Sequence, residues 1–247
     1  PTTTMLQEKS LMRWIVFIAC AYCSAWSPSA TISTNTRPAD EYTTAAAIKL
    51  INENVLRLPF DVSTKSWTQL VPLIGRGQDI SVRWDDPRQG ARELASICFN
   101  DDEKKQSTVV DQLERYFQCY QSLAQDFNPS FDAFKTRLVT SRGSVGGKCP
   151  RWHYDHVPLR WIQSLVGPGC DYVLSEAGVD RSLLNNANSV SEKLNNDMVN
   201  PNEANVEKGR PGEAVVLLGL QGCDRPAIHK SPKLQPFQGR VLNIYSQ

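Results

Sequence analysis

The hydrophobic period of this chain changes once, near Gly143, and that change restricts the fold more than any single motif. Before it, Val109, Leu113, Tyr116, Phe117, Tyr120 and Leu123 recur at helical spacing, and Phe131–Val139 reads as a further short amphipathic helix. One strand, Asp79–Trp84, interrupts this helical stretch between Gly77 and Asp85-Asp86-Pro87. After Gly143, the segments Trp161–Val166, Asp171–Leu174, Ala214–Leu220, Ala227–His229 and Arg240–Tyr245 are short runs rich in branched or aromatic residues. Gly167-Pro168-Gly169, Pro211-Gly212 and Gly222 punctuate them. These patterns predict an α+β protein in which N-terminal helices accompany a C-terminal β sandwich or barrel.

Three parts follow along the chain. Residues 1–42 read as a signal plus possible transit segment, 43–142 as a mainly helical part, and 143–247 as a β-rich part. A polar stretch at 180–210 carries eight asparagines and reads as an inserted loop with a short helix near Ser191–Met198. In the leader, Met5 and Met12 are candidate starts, Lys9 and Arg13 form a basic flank, and Trp14–Cys23 is apolar but too short to span a bilayer comfortably. The hydroxyl-rich segment after Ala25 resembles the bipartite presequence of algae with secondary plastids. That resemblance implies plastid delivery, with the secretory pathway or secretion as the alternative and no stable membrane anchor once the signal is cleaved.

Bulk charge excludes little but points away from nucleic acid. Formal net charge is +1, and the leader's two bases and one acid account for that excess. The seven cysteines are widely spaced, with one C-x-x-C pair, Cys20 and Cys23, inside the leader. They form neither a disulfide framework nor a zinc-ribbon pattern. Fingerprints of serine hydrolases, P-loop proteins and dinucleotide-binding domains are absent from the sequence.

Chemistry-bearing residues concentrate in Cys149-Pro-Arg-Trp-His-Tyr-Asp-His-Val-Pro-Leu-Arg160. Two of the chain's three histidines, His153 and His156, lie there. If the stretch is extended, His153 and Asp155 share one face while Tyr154 and His156 take the other. The third histidine, His229, follows a predicted strand, and Arg240 comes 11 residues later. Two neutral imidazoles and one carboxylate make the facial set that holds non-haem Fe(II) with open positions, and a guanidinium can grip a carboxylate in bidentate fashion. Arg160 reads first as a structural ion-pair partner, with a pocket-facing role toward an acidic substrate as the alternative, and His156 as a surface or supporting histidine. Trp152, Tyr154 and Trp161 read as core, and Cys149 and Cys170 as buried thiols.

The order H-x-D, a distant His and an Arg about one strand later resembles the iron and 2-oxoglutarate dioxygenases. The resemblance implies a double-stranded β-helix of cupin-like or jelly-roll type, with His153, Asp155 and His229 as metal ligands, Arg240 as the cosubstrate anchor, and Fe(II) and 2-oxoglutarate as cofactors. A closer match spans Cys149 to Tyr245. Cys149–Arg160, Gly167-Pro168-Gly169, Gly212–Leu218 and Ile228-His229-Lys230-Ser231-Pro232 resemble the proteins grouped as domain of unknown function 1826. The chain departs from that pattern in its Asn-rich insertion and at Cys223.

The alternative is a non-catalytic site for zinc or another divalent ion, used in metal handling. A binuclear hydrolase of the H-x-D-H kind would need more histidines than this chain owns. The substrate, small molecule or protein, and the oligomeric state are open at this level.

Overall fold

The computed structural model describes residue 46 and residues 49–50, 53–60, 68–100, 102–143, 149–184 and 191–247. The leader and transit readings lie outside the described residues. Nine strands are β1 Val55–Pro59, β2 Asp79–Trp84, β3 Phe134–Arg142, β4 Leu159–Val166, β5 Asp171–Val173, β6 Val206–Lys208, β7 Glu213–Leu218, β8 His229–Lys230 and β9 Gly239–Ser246. The helices are a single turn α1 Val71–Ile74, then α2 Pro87–Phe99, α3 Glu103–Phe127 and α4 Glu192–Met198.

A six-stranded antiparallel sheet runs β1-β7-β4-β9-β3-β2, and a three-stranded one runs β6-β5-β8. Alternation along each strand sends one set of side chains to each face of the large sheet. Trp84, Phe134, Leu138, Trp161, Val216, Leu218, Val241 and Tyr245 pack on the outer face against α2 and α3, whose buried stripe includes Leu94, Leu113, Phe117 and Tyr120. On the inner face Ile162, Val215, Leu217 and Leu242 meet Cys170, Tyr172 and Ala227 of the small sheet and the loops at its ends. The fold is thus α+β, with two facing sheets and helices against the back of the larger.

Local chemistry explains the helix starts. Asp86 caps α2 by accepting from the Gln89 amide, with Pro87 at the first helical position, and Asp102 caps α3 through the Lys105 amide. Gly90 lets α2 lie directly on the sheet, because a Cβ there would sit 2.7 Å from Trp84 Cβ.

Two elements differ from the sequence reading. Phe131–Val139, expected as a helix, contributes instead to β3, paired on both sides with β2 and β9. Phe134 and Leu138 are four apart, which suits a helix, but Thr136 and Thr140 complete a buried alternation that the long-range pairing selects. β1 was not expected, and with β2 and β3 it places three of the six large-sheet strands within residues 43–142.

The Asn-rich stretch carries the expected short helix, α4, capped by Ser191. It is also better anchored than its composition suggests. Leu184, Met198 and Val199 bury against Trp152, Val173 and Ile228.

Candidate metal centre

Two histidines distant in sequence become direct neighbours because the segment before β4 pairs with β8. His153 and His229 form an isolated antiparallel bridge, with His153 N donating to His229 O at 3.0 Å and His229 N to His153 O at 2.9 Å. Their rings stand 4.4 Å apart between centroids. Asp155 lies two residues on, and one ligand atom from each of His153, Asp155 and His229 falls within 4.8 Å of the others. It is the one such group of three or more found among the described residues.

Each of the three side chains meets a neighbour that bears on its orientation or charge. His153 Nδ1 lies 2.8 Å from the Arg151 carbonyl, so that nitrogen carries the proton and Nε2 keeps its lone pair. Burial opposes protonation of His153, but hydrogen bonds to Cys149 and Arg151 and the negative charge of Asp155 outweigh it and raise its pKa. His229 behaves oppositely. Burial, with His153 close by, brings its pKa to about 3, so its imidazole is neutral over the physiological range. Burial would raise the Asp155 carboxyl, yet the charge and hydrogen bond of Arg160 help hold it below the usual range. Arg160 Nε donates to Asp155 Oδ2 at 2.7 Å, and His229 Nε2 lies 3.6 Å from the same oxygen.

Deeper between the sheets, Arg240 is 1 % exposed. Its Nη2 donates to Ser231 Oγ at 2.9 Å, while Nε and Nη1 are buried without a hydrogen-bond partner among the described residues. No ion pair joins it to a carboxylate among the described residues, and burial lowers its pKa. Asp171, on β5, has an equally unpartnered buried Oδ1, and burial raises its pKa. Buried charges without partners cost several kcal/mol, roughly, so this guanidinium fits an incoming anion. The donor set and the orphaned Arg240 nitrogens suit a metal-chelating keto acid with a second carboxylate.

The other singled-out residues divide. His156 is exposed, and its ring lies 5.8 Å from that of Tyr154. Trp152, Trp161 and Tyr154 are core or packed on it. Cys170 is buried, and its thiol is pushed up to about 12 by that burial. Cys149 departs from expectation. It is exposed, and a hydrogen bond with His153 lowers its pKa against the effect of burial. Sequence spacing placed no base beside it, because the turn that brings His153 back is a property of the fold.

Two supporting residues were missed. Asn195, from the insertion, accepts from the Trp152 amide and donates to the Pro150 carbonyl, both at 3.1 Å, so it grips the strand that presents His153. Ser231, two residues beyond His229, meets Arg240. The proximity of Ser231 to His229 was a readable signal; Asn195 carried none.

Comparison with solved structures bears on the fold. The Arabidopsis thaliana dioxygenase for auxin oxidation 1, in binary complex with 2-oxoglutarate, is similar at 10 % identity and TM-score 0.50, covering 87 % of this chain and 91 % of that one. A Pseudomonas putida prolyl-4-hydroxylase is similar at 12 % identity and TM-score 0.44, covering 82 % and 96 %. EvdO2 from Micromonospora carbonacea var. aurantiaca, complexed with 2-oxoglutarate, shows 14 % identity and TM-score 0.43, covering 90 % and 94 %. At such identity the first likeness shows the fold alone, a double-stranded β-helix backed by N-terminal helices. Among curated proteins no sequence relative matches. The family described as protein of unknown function (DUF1826) matches over residues 102–243, more than half of the chain, and the chain belongs to that family.

Proposed function

We propose that this protein is a non-haem Fe(II)- and 2-oxoglutarate-dependent dioxygenase, with His153, Asp155 and His229 as metal ligands and Arg240 as the anchor for the far carboxylate of the keto acid. The observation that carries this reading is the pairing of a three-donor cluster with a buried guanidinium whose Nε and Nη1 have no hydrogen-bond partner among the described residues. When bound, the metal and keto acid supply oxidising chemistry from dioxygen.

The chain's own residues do the rest. His153 and His229 offer imidazole lone pairs, the first fixed by the Arg151 carbonyl. Arg160 holds the Asp155 carboxylate by one oxygen and keeps it ionised. Ile162, Val215, Leu217 and Leu242 pack against Cys170, Tyr172 and Ala227, so the region between the sheets is apolar and keeps water out.

Anaerobic titration of the full chain with Fe(II) and then 2-oxoglutarate tests the reading. A weak visible charge-transfer band is expected in the wild type and absent in His229→Ala. Tight stoichiometric zinc, no such band and no effect of Arg240 substitution would overturn it in favour of a non-catalytic divalent-metal site.

The brace from the insertion makes a finer prediction. Asn195→Ala frees the Pro150–Trp152 backbone, and loss of such outer support typically weakens metal binding by about 10-fold or more. Co(II) titration followed by absorbance measures this. Unchanged affinity would limit Asn195 to anchoring α4.

A further inference from the structure

The register of the large sheet lines up cations on its inner face. Arg83 on β2 stands opposite Lys135 on β3, and Lys135 opposite Ser246 on β9. Arg160 on β4 lies one place beyond the Trp161–Tyr245 pair, beside Ser246. All four side chains point away from the helices, because their neighbours Trp84, Phe134, Tyr245 and Trp161 fill the helix-side core. The row therefore crosses four adjacent strands at the end of the sheet where Arg160 meets Asp155.

Its charge is not neutralised from within. Arg83 and Lys135 are exposed, and their side chains have no ion pair or hydrogen bond among the described residues. Arg160 uses only Nε, on Asp155, which leaves its outer edge without a hydrogen-bond partner among the described residues, and its side chain is 21 % exposed. One row deeper, by contrast, Arg137 is compensated by a bidentate bond to Asp79 at 2.6 and 2.7 Å. Like charges directly opposite on neighbouring strands destabilise a sheet by roughly 0.2–1 kcal/mol. Protection of an edge strand accounts for Arg83 on β2, but not for Lys135 on β3 or Arg160 on β4.

We propose that this row is the substrate platform, and that the substrate is an acidic polypeptide segment laid in extended form across the mouth of the metal site. The proposal rests on the dioxygenase reading for the word substrate, and on the row alone for the binding. Three inter-strand steps span about 14 Å, the reach of roughly four extended residues. The exposure of Arg83 and Lys135 suits an open track better than an enclosing pocket for a small acid. The row gives the peptide its charge complement, and Arg160 ties the track to the ligand Asp155.

Fluorescein-labelled hexaglutamate, with labelled hexaglutamine as control, is the probe for anisotropy titrations of the full chain at low salt. Hexaglutamate is expected to bind at least tenfold tighter than hexaglutamine. Arg83→Gln with Lys135→Gln should weaken it at least tenfold, and Arg92→Gln with Arg115→Gln on the helices should change it less than twofold. Equal binding to the Arg83/Lys135 double variant, no binding to the wild type, or displacement by citrate at equal concentration would overturn the proposal, the last in favour of a small organic acid. Recording the Fe(II)–keto-acid band in the same samples separates the two readings. Row-dependent hexaglutamate binding without a band sinks the dioxygenase and leaves the acidic-peptide surface; a band without such binding does the reverse.

Discussion

Arg240→Met is expected to abolish 2-oxoglutarate binding while leaving the fold as stable as before, or more so. The two outcomes diverge because the side chain is buried for an interaction the rest of the chain does not provide. Ser231 satisfies one nitrogen, and Nε and Nη1 have no hydrogen-bond partner among the described residues. Methionine fills a similar volume without an unpaired charge, and exchange of a buried charge for an apolar side chain is often neutral or stabilising by roughly 1–4 kcal/mol. The keto acid's far carboxylate loses two charge-assisted hydrogen bonds of about 1.5–3 kcal/mol each, so its affinity should fall by about 100-fold or more. Calorimetric titration of 2-oxoglutarate into the metal-loaded protein, beside a thermal melt, measures both. A lower melting temperature with unchanged affinity would make Arg240 a structural residue.

That divergence could not be read from the sequence, although Arg240 itself could. His153 and Asp155 were legible because alternation along an extended segment is a local property, and Tyr154 and His156 do turn the other way. His229 was legible through its position after a strand. β2 was legible for the same reason, its period of two being written in consecutive residues, while β4, β7 and β9 were legible as short runs rich in branched or aromatic residues. What escaped was set by distant partners. β3 shares apolar spacing with a helix and is decided by pairing with β2 and β9. Asn195 sits in a polar stretch that looked unable to order, yet Met198 and Val199 anchor it under Trp152. The cation row is invisible along the chain, because Arg83, Lys135 and Arg160 become neighbours only through the strand order β4-β9-β3-β2.

Backbone packing behind the carboxylate ligand sets the other large effect. After β7 the chain turns at Gly219 and runs against the segment that carries Asp155. Gly219 N donates to the Pro158 carbonyl at 3.1 Å, and Leu220 N to the Asp155 carbonyl at 2.8 Å. A Cβ on residue 219 would fall 2.0 Å from Val157 O and 2.8 Å from Asp155 O. Both obstacles are backbone, so no rotamer change relieves them. Gly219→Ala must push the Asp155–Pro158 turn away, breaking those two hydrogen bonds and carrying the carboxylate off the two imidazoles. Overpacking typically costs about 1–3 kcal/mol, and the lost buried hydrogen bonds add to it, so destabilisation of about 3 kcal/mol or more is expected together with loss of tight metal binding. Gly77→Ala is the control. Its Cβ meets nothing within 4 Å, and its φ of +59° leaves only the backbone penalty of about 1 kcal/mol. Urea unfolding and Co(II) titration of the two variants should therefore differ in both readouts, with metal affinity retained in Gly77→Ala and lost in Gly219→Ala. If Gly219→Ala unfolds like the wild type and still binds Co(II), the Asp155 turn is not held by this contact, and the placement of the carboxylate ligand must come from Arg160 alone.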